Sequence, residues 1–228
     1  MFVRIPKLLS VDQLNTLRAS LGGANAPWVD GRATAGFQSA PVKSNQQLDE
    51  ASAMARELGD LIVTQLECNA LFISAVLPNR VYPPVFNRYT LGMYFGTHVD
   101  GTVRVVPGSI HKLRTDLSAT LFISAPESYD GGELIVESDF GQQSAKLAAG
   151  DMVVYSSTSR HSVTAITRGE RLAAVFWIQS LIRDDLQREQ LFELDRTIQR
   201  LTQTGADPGC LVRLTSHYHG LLRSWTQI

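Results

Sequence analysis

Reactive chemistry in this sequence is concentrated at a few spacings. His98-Val99-Asp100 sets an imidazole and a carboxylate two residues apart. In extended backbone, side chains at i and i+2 point to one face, so both can reach a single ion. Alone, such a pair is a weak signal that reads more often as a hydrogen-bonded surface pair, and a third ligand must come from elsewhere in the fold. Among His98, His111, His161, His217 and His219, His161 fits best. It follows the strand-like Met152-Val-Val-Tyr-Ser156 and opens the strand beginning at Val163. Two neutral imidazoles and one carboxylate on one face leave three positions of an octahedral ion open. This suits ferrous iron binding a cosubstrate and oxygen together. Zinc favours four ligands, with one position open at most in catalytic sites.

Arg171 adds a second constraint. In Arg171-Leu-Ala-Ala-Val-Phe-Trp177, a period of two puts Arg171, Ala173, Val175 and Trp177 on one face and Leu172, Ala174, Phe176 and Ile178 on the other. Both faces are otherwise apolar, which predicts a strand buried on both sides. A guanidinium there requires an anionic partner. Its fork matches the distal carboxylate of a dicarboxylic cosubstrate. The competing accounts are a structural ion pair with Glu170, Asp151 or Glu133, or a solvent-facing strand end. Arg168, beside Gly169 in a turn, is read as facing water.

The elements that must hold these residues follow from periodicity. Ser10-x-x-Gln13 forms a capping box ahead of Leu14, Leu17 and Leu21, predicting a helix. Residues 22–45 read as loop with short strands. Apolar positions from Leu48 to Leu66 predict a second amphipathic helix, ended by Val81-Tyr-Pro-Pro. Runs at Leu117–Ser124, Gly132–Glu137, Met152–Ser156 and Leu172–Gln179 are rich in β-branched and aromatic residues. Asp130-Gly-Gly, Ala149-Gly-Asp and Arg168-Gly-Glu separate them with turn chemistry. Strands without intervening helices predict an antiparallel sandwich or barrel. Helical period returns beyond Arg183 in Leu191, Leu194, Ile198 and Leu201. Asp207-Pro-Gly then precedes a last helix carrying Leu211, Leu214, Tyr218, Leu222 and Trp225. His217 and His219 fall in that helix, where i and i+2 do not share a face, so they are read as surface residues.

Composition bounds the function. Net charge is −1 over 228 residues, 44% of them hydrophobic, so nothing electrostatic argues for nucleic acid or an anionic membrane. Cys68 and Cys210 form neither a metal motif nor a disulfide framework. A charge and a proline interrupt the first residues before an apolar run develops, which argues against a signal peptide or membrane span. The default is a reducing cytoplasm, which also keeps iron ferrous.

With His98-x-Asp100, His161 and Arg171, the chain resembles the iron and 2-oxoglutarate dioxygenases of the prolyl/lysyl hydroxylase class. Asn87-Arg-Tyr, His98-Val-Asp-Gly, Arg114-Thr-Asp-Leu-Ser-Ala-Thr-Leu-Phe-Ile-Ser, Tyr129-Asp-Gly-Gly-Glu-Leu, Trp177-Ile-Gln-Ser-Leu-Ile-Arg-Asp and Leu191-Phe-Glu-Leu-Asp look like bacterial PKHD-type hydroxylases. The resemblance spans nearly the whole chain. It implies Fe(II) held by His98, Asp100 and His161, with Arg171 anchoring 2-oxoglutarate. Tyr89 matches a tyrosine that can bond the same carboxylate. It also implies a double-stranded β-helix, or jelly-roll, core (about 80–182) with helical N-terminal support (1–79). Residues 1–182 would form the dioxygenase domain and 183–228 a C-terminal helical extension. Hydroxylation of a small-molecule or peptidyl substrate with O2 is the implied activity, with ascorbate associated as a reductant. A role in bacterial iron handling on a siderophore-like molecule is compatible with it. The apolar faces of the C-terminal helices fit either packing on the core or a homo-oligomer contact. Two alternatives stay open on sequence alone: a cupin-like metal enzyme without 2-oxoglutarate, and a non-catalytic iron-binding or sensing module.

Overall fold

The computed structural model describes residues 1–138 and 141–227. Two antiparallel sheets carry the architecture. The larger has eight strands, in the order Phe2–Ile5, Met152–Ser156, Leu117–Phe122, Arg171–Ser180, Val85–Tyr89, Gln46–Leu48 and Trp28–Asp30, with Pro78–Val81 also pairing on Arg171–Ser180. The smaller runs Gly141–Ala145, Leu134–Ser138, His161–Val163, Tyr94–His98 and Lys43–Ser44. A short hairpin, Val103–Val105 with Lys112–Arg114, stands apart from both. The antiparallel β core expected from the strand and turn pattern is therefore present, and strands from the first 48 residues join both sheets.

The helices lie on the outer face of the large sheet. They are α1 (Val11–Leu21), α2 (Ala53–Glu67) and α3 (Ala70–Val76). The Ser10 capping box forms on both sides: Ser10 N–H donates to Gln13 Oε1 at 2.8 Å, and Gln13 N–H donates to Ser10 Oγ at 3.3 Å. The second helix starts later than its apolar period suggests. Leu48 closes a strand paired with Trp28, and Ser52 is the cap, its side chain accepting from Ala55 N–H at 3.1 Å. The sequence pattern also passed over α3, which is short and capped by Asn69 at 2.9 Å from Phe72 N. No single helix among the described residues is long and apolar enough to cross a membrane.

The sheets divide the core in two. Outside, Leu17, Leu21, Ile62, Leu66 and Phe72 pack on Phe86, Leu121, Val154, Leu172, Ala174, Phe176 and Ile178. Each such fully buried side chain contributes roughly 1.5–3 kcal/mol, so this layer supplies most of the stability. Between the sheets, Phe122, Leu134, Val136, Val153, Val163 and Ile166 pack with Tyr89, Tyr129 and Tyr155. The inner layer is less uniformly apolar and opens into a cavity.

The tail folds back as α4 (Asp185–Gln203) and α5 (Pro208–Trp225). Leu191 packs on Leu77 and Ile182, covered by Tyr218, Leu221, Leu222 and Trp225. Polar ties reinforce this. Ser156 Oγ donates to Asp185 at 2.5 Å, and buried Arg188 donates to Ile182 O at 2.6 Å and pairs with Asp185. The tail thus grips the strand that leads toward His161. His217 and His219 are both exposed on α5.

The Asp130-Gly-Gly turn is required by backbone geometry. Gly131 has φ +73°, and a Cβ there would sit 1.9 Å from the Ala165 carbonyl oxygen. Backbone cannot yield as a side-chain tip can, and positive φ adds strain. Gly131→Ala is expected to destabilise the protein by about 2–4 kcal/mol, measured as a lowered midpoint of urea unfolding with an unchanged slope.

Candidate functional site

The strand register brings the two histidines together. His161 is the direct cross-strand partner of His98, so both imidazoles leave the same face of the small sheet. Their ring centroids are 4.2 Å apart. Asp100 follows the end of strand Tyr94–His98, with its Oδ2 3.6 Å from His161 Nε2. One donor atom from each of His98, Asp100 and His161 lies within 4.8 Å of the others.

Local hydrogen bonds fix which ring nitrogen is free. His98 Nδ1 is 2.9 Å from Gly96 O, and His161 Nδ1 is 3.1 Å from Ser159 O. A carbonyl oxygen can only accept, so each Nδ1 carries the proton and each Nε2 keeps its lone pair for an ion. Burial, and then the neighbouring His161, hold the His98 imidazole well below its ordinary pKa, so it is neutral at physiological pH. Asp100 is oriented by a short relay: Ser118 Oγ donates to Asp100 Oδ2 at 2.5 Å and is 2.7 Å from Ser157 Oγ. Two imidazole nitrogens and one carboxylate on a single side fit ferrous iron, with the remaining positions open.

Arg171 lies on the same cavity. The period-of-two reading holds: Leu172, Ala174, Phe176 and Ile178 pack against the helices, and Trp177 and Val175 pack on the inner side. Arg171 is 1% exposed, and no carboxylate among the described residues lies within 4.0 Å of it. Glu170 approaches Arg88 instead, at 4.0 Å. Arg171 Nε has no hydrogen-bond partner. Tyr89 is its cross-strand neighbour, with the guanidinium 5.3 Å from the ring centre. Burial raises the Tyr89 pKa while Arg171 opposes the shift, so the phenol stays protonated and able to donate. Gly132 makes room for this arrangement, since a Cβ there would come within 2.9 Å of Arg171 Cδ. Arg168 is exposed and pairs with Asp130 at 2.7 Å, as its turn position implied.

The cavity measures about 990 Å³. Tyr155 lines it, edge-on to His161 at 5.1 Å, and burial raises its pKa strongly. Ser118 pairs with Tyr155 on one side and Trp177 on the other. Neither Ser118 nor Tyr155 was picked out from sequence. The signal available was parity: Ser118 and Thr120 alternate with Leu117, Ala119 and Leu121 in a strand buried throughout.

Comparison with known proteins agrees with this geometry. Residues 84–179 match the 2OG-Fe(II) oxygenase superfamily, and residues 185–227 match the PKHD-type hydroxylase C-terminal domain. A PKHD-type hydroxylase of Paraburkholderia xenovorans is 57% identical over 227 residues, covering 100% of both chains. One of Burkholderia ambifaria is 58% identical over 227 residues, again covering 100% of both. The chain belongs to the PKHD-type hydroxylases. It is therefore an oxidoreductase of a family that uses Fe(II) and 2-oxoglutarate. A crystal structure of a Pseudomonas putida prolyl-4-hydroxylase has the same fold, with TM-score 0.53 and 21% identity over 78% of this chain and 92% of that one. The two facing sheets of the hydroxylase are thus a jelly roll carrying the C-terminal helices of its own family.

Ser118 fixes one oxygen of Asp100, and groups that orient a ligand in this way contribute about tenfold to hundredfold to metal affinity. With Asp100 as one of the three residues that could hold iron, Ser118→Ala is expected to weaken Fe(II) binding by that factor in anaerobic titration. An unchanged affinity would show that Asp100 needs no such support.

Proposed function

We propose that His98, Asp100 and His161 hold the iron, and that Arg171, assisted by Tyr89, anchors the far carboxylate of 2-oxoglutarate. The observation carrying this reading is the buried guanidinium of Arg171. Among the described residues it has no carboxylate partner, and it faces the cavity that also receives the three ligand atoms. A fully buried charge of this kind costs several kcal/mol if nothing pairs with it. A dicarboxylate reaching from the ion toward Arg171 supplies the missing anion.

When bound, iron and 2-oxoglutarate supply the oxidising chemistry, in which O2 is consumed, succinate and carbon dioxide leave, and a hydroxyl is placed on the substrate. The chain's own contribution is orientation and exclusion of water. The Gly96 and Ser159 carbonyls hold both imidazoles with Nε2 forward, and Ser118 fixes the carboxylate. Arg171 provides a forked donor on a rigid central strand, and the Tyr89 hydroxyl is kept protonated to donate beside it. Tyr155 and Val163 wall this end against solvent. Ascorbate as a reductant and a cytoplasmic location belong to the same reading. They rest on the family resemblance and on the reducing conditions that keep iron ferrous.

Replacing His98 or Asp100 by Ala is expected to abolish uncoupled turnover of 2-oxoglutarate to succinate; persistent turnover removes that residue from the ligand set. Arg171→Ala is expected to raise the 2-oxoglutarate dissociation constant by about a hundredfold, in line with the loss of one partner of a buried charge pair. Metal affinity should be retained. An unchanged dissociation constant would rule Arg171 out as the anchor.

A further inference from the structure

The cavity has a second cationic end that neither the ligand triad nor the cosubstrate uses. Lys43 lies on an edge strand paired with Phe95, yet it is only 7% exposed. Its ammonium sits 5.1 Å from the Phe95 ring, which itself stacks on His98 at 3.6 Å. The guanidinium of Arg104, from the short hairpin, lies over the Trp177 ring, 3.5 Å from its centre, and 5.2 Å from the centre of the Tyr82 ring. Lys43 and Arg104 both line the cavity. Trp177 and Arg171 share the inner face of one strand and stand six residues apart, roughly 20 Å of extended backbone. A single five-carbon dicarboxylate cannot satisfy both ends.

Among the described residues, the carboxylates nearest this end have partners of their own, while Glu50, Asp100 and Asp30 favour the Lys43 charge only at longer range. Asp100 accepts from Ser118 and belongs to the ligand triad. Asp30 is forked onto Arg32. Glu50 accepts from the Tyr82 hydroxyl at 3.0 Å. Among the described residues, neither Lys43 nor Arg104 has a carboxylate within 4.0 Å, and the ammonium's hydrogen bond is to Thr34 Oγ1 at 3.3 Å. Burial, followed by the charge of Arg104, pushes the Lys43 pKa down to about 8, so it still carries its proton at neutral pH. With a divalent ion and Arg171 balanced by Asp100 and a dianionic cosubstrate, Lys43 and Arg104 outweigh Glu50 by one positive charge.

We propose that Lys43 and Arg104 form the substrate's recognition site, so that this hydroxylase acts on a molecule carrying a carboxylate or comparable anionic group. Such a group between the ammonium and the guanidinium would relieve their mutual repulsion and gain charge-assisted hydrogen bonds from both. The Phe95 and Trp177 rings, which also line the cavity, offer apolar surface to the remainder of the molecule. The proposal rests on the assignment of the other end to iron and 2-oxoglutarate.

The test uses the Fe(II)-loaded protein with saturating 2-oxoglutarate under anaerobic conditions. Matched probes are titrated by calorimetry: phenylacetate against phenylacetamide, indole-3-acetate against indole-3-acetamide, and N-acetyl amino acids against their amides. The acid of at least one pair is expected to bind about tenfold to hundredfold more tightly than its amide, the range for hydrogen bonds to charged groups. Lys43→Met and Arg104→Ala should each cut that preference to below about threefold, with the 2-oxoglutarate dissociation constant left near its starting value. Equal affinity for acid and amide throughout, no binding by any acid, or a preference surviving in both variants overturns the proposal. If the unaltered protein fails to bind 2-oxoglutarate at all, both this assignment and the underlying reading of the site are withdrawn.

Discussion

The pairing of His161 opposite His98 is the constraint on which the rest of the site depends. Side chains alternate strictly along a strand, so a slip of one residue between these two strands would turn one imidazole away from the other. The register is therefore fixed by more than the pair itself. Strand His161–Val163 is also pinned on its other side by Leu134–Ser138. The glycine turn at 131–132 threads that sheet against the Ala165 carbonyl and the stem of Arg171. The C-terminal helices add a further hold by bonding Ser156, just ahead of the strand. A two-histidine site is thus tied to packing far from it.

The two layers of the core share the work unevenly. The outer layer is nearly all aliphatic and aromatic and holds the large sheet against the helices. This leaves the inner layer free to keep costly groups: a buried arginine, a buried lysine, three tyrosines and a serine relay. Placing Arg171 on the central strand of the large sheet makes its position rigid. Placing Arg104 on a hairpin outside both sheets gives the opposite end of the cavity a less constrained wall.

Legibility in the sequence followed locality. The capping box at Ser10, the faces of strand Arg171–Ser180 and the turn glycines were readable because each depends on neighbours a few positions away. Arg171 stood out because a charge within a two-sided apolar strand is anomalous wherever the strand ends up. The start of α2 was misplaced because Leu48 is buried by pairing with a strand elsewhere in the chain, and burial alone mimics a helical period. Lys43 gave no signal, lying in an irregular stretch whose burial comes from strand pairing with Phe95 and from the Thr34 turn, both set by tertiary structure.

By itself, then, the sequence determined the chemical types of the candidate ligands and the alternation that turns Arg171 inward, since residue identity and strand period are local properties. It also determined the all-antiparallel character of the core. Tertiary structure alone decided that His161 meets His98, that Ser118 holds Asp100, and that Arg171 finds no carboxylate nearby among the described residues. It also decided that Lys43 and Arg104 share the far end of the cavity. These depend on register and sheet packing between segments distant in sequence, where no short-range pattern carries the information.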